Sequence, residues 1–325
     1  MKRGRVTIFL AVSLAALFTC PWLGVRNISP LDLLGDGSSL ESRIFWQLRV
    51  PRVLMAWCAG ATFGICGMVF QAMFRNPLAE PSLLGVSAGA ALGAAVAIRL
   101  GFAGSSATSL TLPIGAFLGA MVSIAIISAF ARLVRSEKDA TLLLAGVAIS
   151  ALFSSLIMVF QYTGGASEAY KLLSWTMGGI NVVGMKEGLQ SIPSLVIALT
   201  LAIRYSTELD LMTFGDEIAS SKGVELERTK WTLFVGISMS IAIVVANCGP
   251  VAFLGLIAPH AARYAAGPRH FELTILTAFV GGAALLICDT AARTLWAPAD
   301  LPVGIVVSFL GAPFFLWLLF GPRSG

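Results

Sequence analysis

Long apolar runs separated by short polar stretches dominate the chain. With boundaries soft by several residues, they cover 6–24, 52–74, 84–99, 110–133, 141–163, 189–206, 229–248, 251–266, 271–296 and 303–321. A bilayer span needs ~20 mostly apolar residues. The pattern therefore predicts an all-α, polytopic membrane protein of about ten spans with both chain ends on one side. Little is left over for a soluble domain. The eighth run is short, and Pro250 and Pro259 interrupt its surroundings. It predicts a partial or broken helix, which is tolerated at membrane depth where it lines a cavity.

Inside the runs, small residues recur four apart: Gly60 and Gly64, Gly85 and Gly89, Gly89 and Gly93, Gly115 and Gly119. In an apolar helix this spacing lets neighbouring backbones approach closely. It predicts a bundle of tightly packed helices rather than isolated spans in lipid.

Two polar connections stand out. The longest runs over about 206–228. There Thr213 is placed to cap a short helix, Asp216 and Glu217 lie near its positive end, and Gly223 can stop it. Such a helix is either a plain connector or a surface that docks a cytoplasmic partner. The other connection, Asn76-Pro77-Leu78-Ala79-Glu80-Pro81, carries two prolines that forbid continuous helix. It predicts a rigid elbow at the membrane edge, either a turn or part of a gate.

Composition agrees with the pattern. Of 325 residues, 57% are hydrophobic and only 12% charged, and the mean hydropathy is +0.86. A soluble domain is nearer a quarter charged, so a soluble enzyme and a disordered chain are both excluded. The net charge of +5 sits in the short connections, where it sets orientation. Fourteen of the 22 Lys and Arg fall on the predicted inner side, with the basic start Lys2, Arg3 and Arg5 among them. The first run thus reads as an uncleaved span with its N-terminus in the cytoplasm. The other eight, Arg26, Arg43, Arg49, Arg52, Arg99, Lys171, Lys186 and Arg293, fall outside, where a local cluster opposes this bias. No basic stripe interleaved with aromatics exists, which argues against nucleic-acid binding. The five cysteines, Cys20, Cys58, Cys66, Cys248 and Cys288, form no CxxC pair and read as small packing residues.

Candidate chemistry is sparse. Gly85-Val86-Ser87-Ala88-Gly89 fits the G-x-S-x-G nucleophile pattern, but that pattern needs a strand, a turn and a helix. Here it opens an apolar helix. There is no Gly-Lys dipeptide, hence no P-loop, so any ATPase must be another polypeptide. His260 and His270 stand ten apart without further ligands at metal spacing and read as helix-end histidines. Asp289 and Arg293, four apart, can pair on one helix face as a structural or a functional pair. Arg49-Val50-Pro51-Arg52 is either a lipid-headgroup anchor or an external docking surface for an acidic partner.

Together these pieces resemble the FecCD-type permeases of ABC importers for iron-siderophores, haem and vitamin B12. The matching stretches are Arg49-Val50-Pro51-Arg52, Phe74-Arg75-Asn76-Pro77-Leu78-Ala79-Glu80-Pro81 with Leu84-Gly85-Val86-Ser87-Ala88-Gly89, and Leu143-Leu144-Ala145-Gly146-Val147. Further along come Trp175-Thr176-Met177-Gly178-Gly179, Gly255-Leu256-Ile257-Ala258-Pro259-His260, Asp289-Thr290-Ala291-Ala292-Arg293, Leu301-Pro302-Val303-Gly304 and Gly311-Ala312-Pro313-Phe314-Phe315. Each is weak alone. In this order, over most of the chain, they are specific.

The resemblance implies a type II importer permease fold, with residues 1–325 as a single transmembrane domain in the bacterial inner membrane and both termini cytoplasmic. It implies a homodimer with the pathway at its interface, two cytoplasmic ABC ATPase subunits and one periplasmic binding protein. No cofactor is implied for this chain, since ATP and Mg are used by the partner ATPase. By resemblance, Arg49, Arg52 and Arg293 receive carboxylates of the binding protein. Phe214, Gly215, Asp216, Glu217, Ala219 and Gly223 belong to the helices that seat in the ATPase. Asn76 and Leu78 form one cytoplasmic gate, and Asp139 and Ala140 the second, where family members carry small hydroxyl residues and this chain does not. Iron-siderophore is the first expectation for cargo. Vitamin B12 follows, because the Ala79-Glu80-Pro81 elbow and the Met177-Gly178-Gly179 turn look like the cobalamin permease, and haem is third. The rivals are an ion-coupled secondary transporter, for which Asp289 is the candidate carboxylate, and an intramembrane hydrolase built on Ser87.

Overall fold

The computed structural model describes residues 2–26, 28–33, 39–80, 82, 85–101, 111–133 and 139–320. The helices are α1 (Lys2–Thr19), α2 (Leu40–Ile44), α3 (Val50–Met73), α4 (Val86–Arg99), α5 (Thr111–Leu133), α6 (Asp139–Thr163), α7 (Ala166–Thr176), α8 (Met185–Gly188), α9 (Ile192–Arg204), α10 (Ser206–Thr213), α11 (Asp216–Ser221), α12 (Leu226–Cys248), α13 (Leu254–Ala266), α14 (His270–Leu295) and α15 (Val303–Phe320). No strand occurs among the described residues. Each of the ten apolar runs coincides with one helix.

Five stretches are long and apolar enough to cross a bilayer: Leu40–Met73, Thr111–Phe130, Leu144–Thr163, Leu226–Cys248 and His270–Leu295. A sixth is formed if Met185–Arg204 and Ser206–Thr213, bent by 62°, count as one. Ten crossings would also need α1, α4, α13 and α15, which are shorter. At 1.5 Å per residue, the 14-residue α4 spans only about 21 Å of a ~30 Å core. The eighth run is indeed the short one: α13 has 13 residues and carries Pro259 inside it.

The bundle is sorted from centre to edge. Ser39 caps α2 through a hydrogen bond from the Ser42 N–H (3.2 Å), and α2 continues through a π-helical turn, Phe45–Arg49, into α3. The apolar window of this rod is 89% buried. It packs on α14, α13, α9 and α12. In contrast, the windows of α5 and α6 are only 28% and 22% buried, so those helices lie at the periphery.

The glycine stripes sit at the closest crossings. Gly89 and Gly93 of α4 lie against Gly119 and Gly115 of α5, where an added Cβ would run into the facing backbone. Gly60 of α3 meets Gly281 of α14 in the same way, and Gly67 meets Gly255. Glycine here provides the contact that dispersion and close packing need inside a bilayer. All five cysteines are free and buried within this packing.

The 206–228 connection differs from its expected form. It holds two short helices, α10 and α11, rather than one. Thr213 does not cap the second; it closes α10, its hydroxyl donating to the Asp210 carbonyl at 2.7 Å. Gly215, at φ 121°, is the residue that starts α11, and Gly223, at φ 87°, ends it as expected. Both angles fall where a side chain would be strained.

Candidate functional site

At the N-terminal end of α3, the three predicted docking arginines converge on one cluster. Arg49 is buried. Its guanidinium donates to the carbonyls of Pro21 (3.2 Å), Trp22 (3.1 Å) and Arg26, fastening the chain after α1 to the head of α3. Arg52 forks onto Asp289: Nε lies 3.0 and 3.1 Å from the two carboxylate oxygens, and Nη2 lies 2.9 Å from Oδ1. Its outward edge holds Asp300, at 3.0 and 3.2 Å. Arg293 donates to the Cys20 carbonyl at 2.9 Å. The predicted Asp289–Arg293 pair is present but long, at 3.8 Å, so Asp289 belongs mainly to Arg52. Asp289 is fully buried, and a charge there requires such a partner. Asp300 was not singled out in the sequence, because the cluster joins positions hundreds of residues apart.

A cleft of about 580 Å³ opens where two non-helical segments meet the start of α15. The Met177-Gly178-Gly179 turn follows α7, the segment 249–253 joins α12 to α13, and Gly304 begins α15. The Gly179 N–H donates to the Cys248 carbonyl at 2.9 Å, and the Gly304 N–H to the Gly178 carbonyl at 3.3 Å. Gly178 and Gly249 adopt φ of 72° and 69°, which the close backbone approach demands. The lining comprises Ser82, Thr176, Met177, Pro250, Val251, Ala252, Gly304, Ile305, Ser308 and Phe309. None is charged, and three are hydroxyls. Irregular backbone inside a membrane bundle is sustained only where protein or a cavity covers it. The interruption at Pro250 signalled this place in the sequence; the hydroxyls gave no signal.

The elbow lies beside this cleft. Helix α3 ends at Met73, and Arg75 takes a left-handed φ of 47°. Asn76 then makes an Asx turn, its Oδ1 accepting from the Leu78 N–H at 2.9 Å. Upstream, Gln71 donates to the Gly255 carbonyl (3.0 Å) and accepts from Arg263 (2.8 Å), joining α3 to α13. Downstream, the Glu80 carboxylate is buried beside Ser82 and the backbone of Phe253, and its Oε1 has no hydrogen-bond partner. Burial pushes the Glu80 carboxyl up to about 7. Through Ser82 the elbow touches the cleft. Of the second predicted gate, Asp139 and Ala140 open α6, and their side chains lie outside the described residues, as does Pro81.

On the same side as the elbow, α10 and α11 present a mixed surface. Phe214 and Ile218 are exposed, Glu217 points outward, and Ala219 anchors α11 in the core. Asp216 accepts from Lys230 of α12 at 3.0 Å. Asp210 of α10 accepts from the His270 N–H (2.9 Å) and contacts its Nδ1 (2.6 Å). His270 is thus a helix-end residue as expected. His260 instead lies within α13, edge-on to Phe314 at 6.0 Å. Ser87 stands in the first turn of α4 after the left-handed Gly85, and no strand precedes it among the described residues.

Comparison with known proteins agrees with this arrangement. A profile of the FecCD transport family matches residues 7–321. The chain is 34% identical to the iron(3+)-hydroxamate import system permease protein FhuG of Bacillus subtilis (strain 168), covering 98% of each chain. It is 36% identical to the hemin transport system permease protein HmuU of Yersinia pestis, covering 93% of this chain and 92% of that one. It is 35% identical to the vitamin B12 import system permease protein BtuC of Salmonella paratyphi A (strain ATCC 9150 / SARB42), covering 98% and 94%. A solved structure of an inward-facing metal-chelate type ABC transporter superposes with a TM-score of 0.85 at 27% identity, over 99% of this chain and all of that one. On residues, geometry and full-length similarity alike, the chain belongs to the FecCD transport family.

Proposed function

We propose that this chain is the membrane-spanning permease subunit of an ATP-driven importer that moves an iron chelate, a ferric siderophore or haem, across the bacterial inner membrane by alternating access. The observation that carries this reading is the neutral cleft, built from interrupted backbone between the elbow and α15. A pathway without fixed charge suits passage rather than retention, and leaves selection to a separate binding protein. Two copies would face each other across the cleft, with the exposed apolar side chains of α6 and α15, among them Leu144, Met158, Phe309 and Trp317, available to the partner copy or to lipid. The outer arginine cluster would receive carboxylates of a periplasmic binding protein, and α10–α11 would seat in a cytoplasmic ATPase, which uses the ATP and Mg. Asn76 and Leu78 would form one inner gate, with Asp139 and Ala140 at the second. Both termini would then be cytoplasmic.

Similarity to vitamin B12 permeases at the same level supports cobalamin as the second reading. Asp289, the carboxylate that an ion-coupled carrier would need, has both oxygens engaged by Arg52. ATP-dependent uptake in proteoliposomes, with the co-purifying ATPase and binding protein, tests the proposal against labelled ferric siderophore, haem and cobalamin in parallel. Uptake of the first or second supports it, uptake of cobalamin alone replaces the cargo, and uptake driven by an ion gradient without ATP overturns it.

A further inference from the structure

The elbow and the short helix α11 are joined by one charged contact. Arg75 Nη2 lies 3.7 Å from Asp216 Oδ2, the same oxygen that accepts from Lys230. The other oxygen, Oδ1, is buried and has no hydrogen-bond partner. Gly215 precedes it at the same contact: a Cβ there would lie at ordinary van der Waals distance, 3.8 Å, from Arg75 Nη1. Arg75 also carries a left-handed backbone, φ 47°, which glycine or asparagine would adopt with less strain. An arginine held in that conformation points to a role for its side chain. The pair is partly exposed, 43% and 35%, so it adds little to stability. Its geometry matters more. The residue after Arg75 starts the Asx turn that shapes Asn76 and Leu78, while Asp216 opens α11 and is tied through Lys230 to α12.

We propose that the Arg75–Asp216 pair positions the elbow from α11, so that displacement of the short helix is passed directly to Asn76 and Leu78. This rests on the reading that α10–α11 meet an ATPase and that the elbow is a gate. Arg75 and Asp216 act here as positioning residues, one on each side of a joint between two connections far apart in the chain.

The test uses the full chain with its co-purifying ATPase, and needs no cargo. A Leu78→Cys thiol is labelled with a maleimide with and without ATP plus vanadate; the five native cysteines are buried. In the otherwise native chain the labelling rate changes about fivefold with nucleotide, a size in keeping with coupling between linked sites. Arg75→Gln and Asp216→Asn each abolish most of that response, the double variant is no worse than either single one, Arg75→Lys keeps the response, and ATP hydrolysis in Arg75→Gln stays within about twofold. A full response in both neutral variants overturns the inference, as does a parallel loss of ATP hydrolysis in Arg75→Gln, which marks structural damage. An Ile218→Cys cross-link to the ATPase separates the two levels. If it forms and the neutral variants still respond, only the ion pair is wrong. If it does not form and the native chain shows no nucleotide response, the ATPase reading fails, and the inference with it.

Discussion

Asp289 shows what a single buried charge imposes on this protein. Fully enclosed, it is held by the fork of Arg52, and removing that partner leaves a buried carboxylate with only the long 3.8 Å contact to Arg293. Arg52→Ala is therefore expected to destabilise the chain by ~3–5 kcal/mol in chemical unfolding in detergent, and Asp289→Asn by less, because the amide is neutral. Glu80 makes the opposite case. Its carboxyl is pushed up from the usual 4.5 to about 7 by burial, so the folded chain holds that proton more tightly than the unfolded one. Stability then falls as pH rises from about 4.5 to about 7 and levels off above, with a total on the order of 3 kcal/mol. Unfolding of the native chain and of Glu80→Gln across this range checks the sign: the variant loses the slope. Neither environment was legible in the sequence. Asp289 and Arg293 sit four apart and suggest a pair, yet the stronger partner lies 237 positions away, a distance that no local spacing reports.

Among the elements, legibility followed hydropathy. All ten apolar runs became helices, and the glycine spacing marked the tightest crossings, because lipid and close packing both impose local periodic rules on a sequence. The polar elements were harder. α2, α7 and α8 are short and mixed, and α10 lacks an apolar face long enough to stand out, so that connection read as one helix instead of two. The crossing of α4 and α5 gives the test at this scale. Gly93→Leu must drive a side chain into the Gly115 backbone, and is expected to cost several kcal/mol or to prevent accumulation in the membrane. Leu118→Val, on the exposed side of α5, should stay within about 0.5 kcal/mol. Thermal aggregation of the two variants in detergent compares them.

For the molecule as a whole, the arginine cluster stands at the head of the central rod and the contact of the elbow with α11 at its other end. If the arginines take carboxylates from a binding protein, docking weakens as salt is raised, since exposed charges are screened beyond ~8 Å at physiological ionic strength. Arg52→Gln is expected to reduce affinity and flatten that salt dependence, measured by titrating the binding protein onto the permease in nanodiscs. An unchanged salt slope would remove Arg52 from the docking surface. Arg49 is a poorer target, because its guanidinium already fastens three backbone carbonyls inside the chain.

The burial of α3 has a further consequence, in the order of synthesis. This helix is 89% enclosed, yet its principal neighbours α13 and α14 come about two hundred residues later in the chain. At ~5–20 residues per second, roughly ten to fifty seconds separate the emergence of Arg52 from that of Asp289. Throughout that interval a helix with a charged head and the polar side chains Thr62 and Gln71 waits in the bilayer without the surfaces it was shaped for. The nascent protein thus passes through a half-built state whose most central element is its least protected one, and whose rescue depends on the last third of the message being translated.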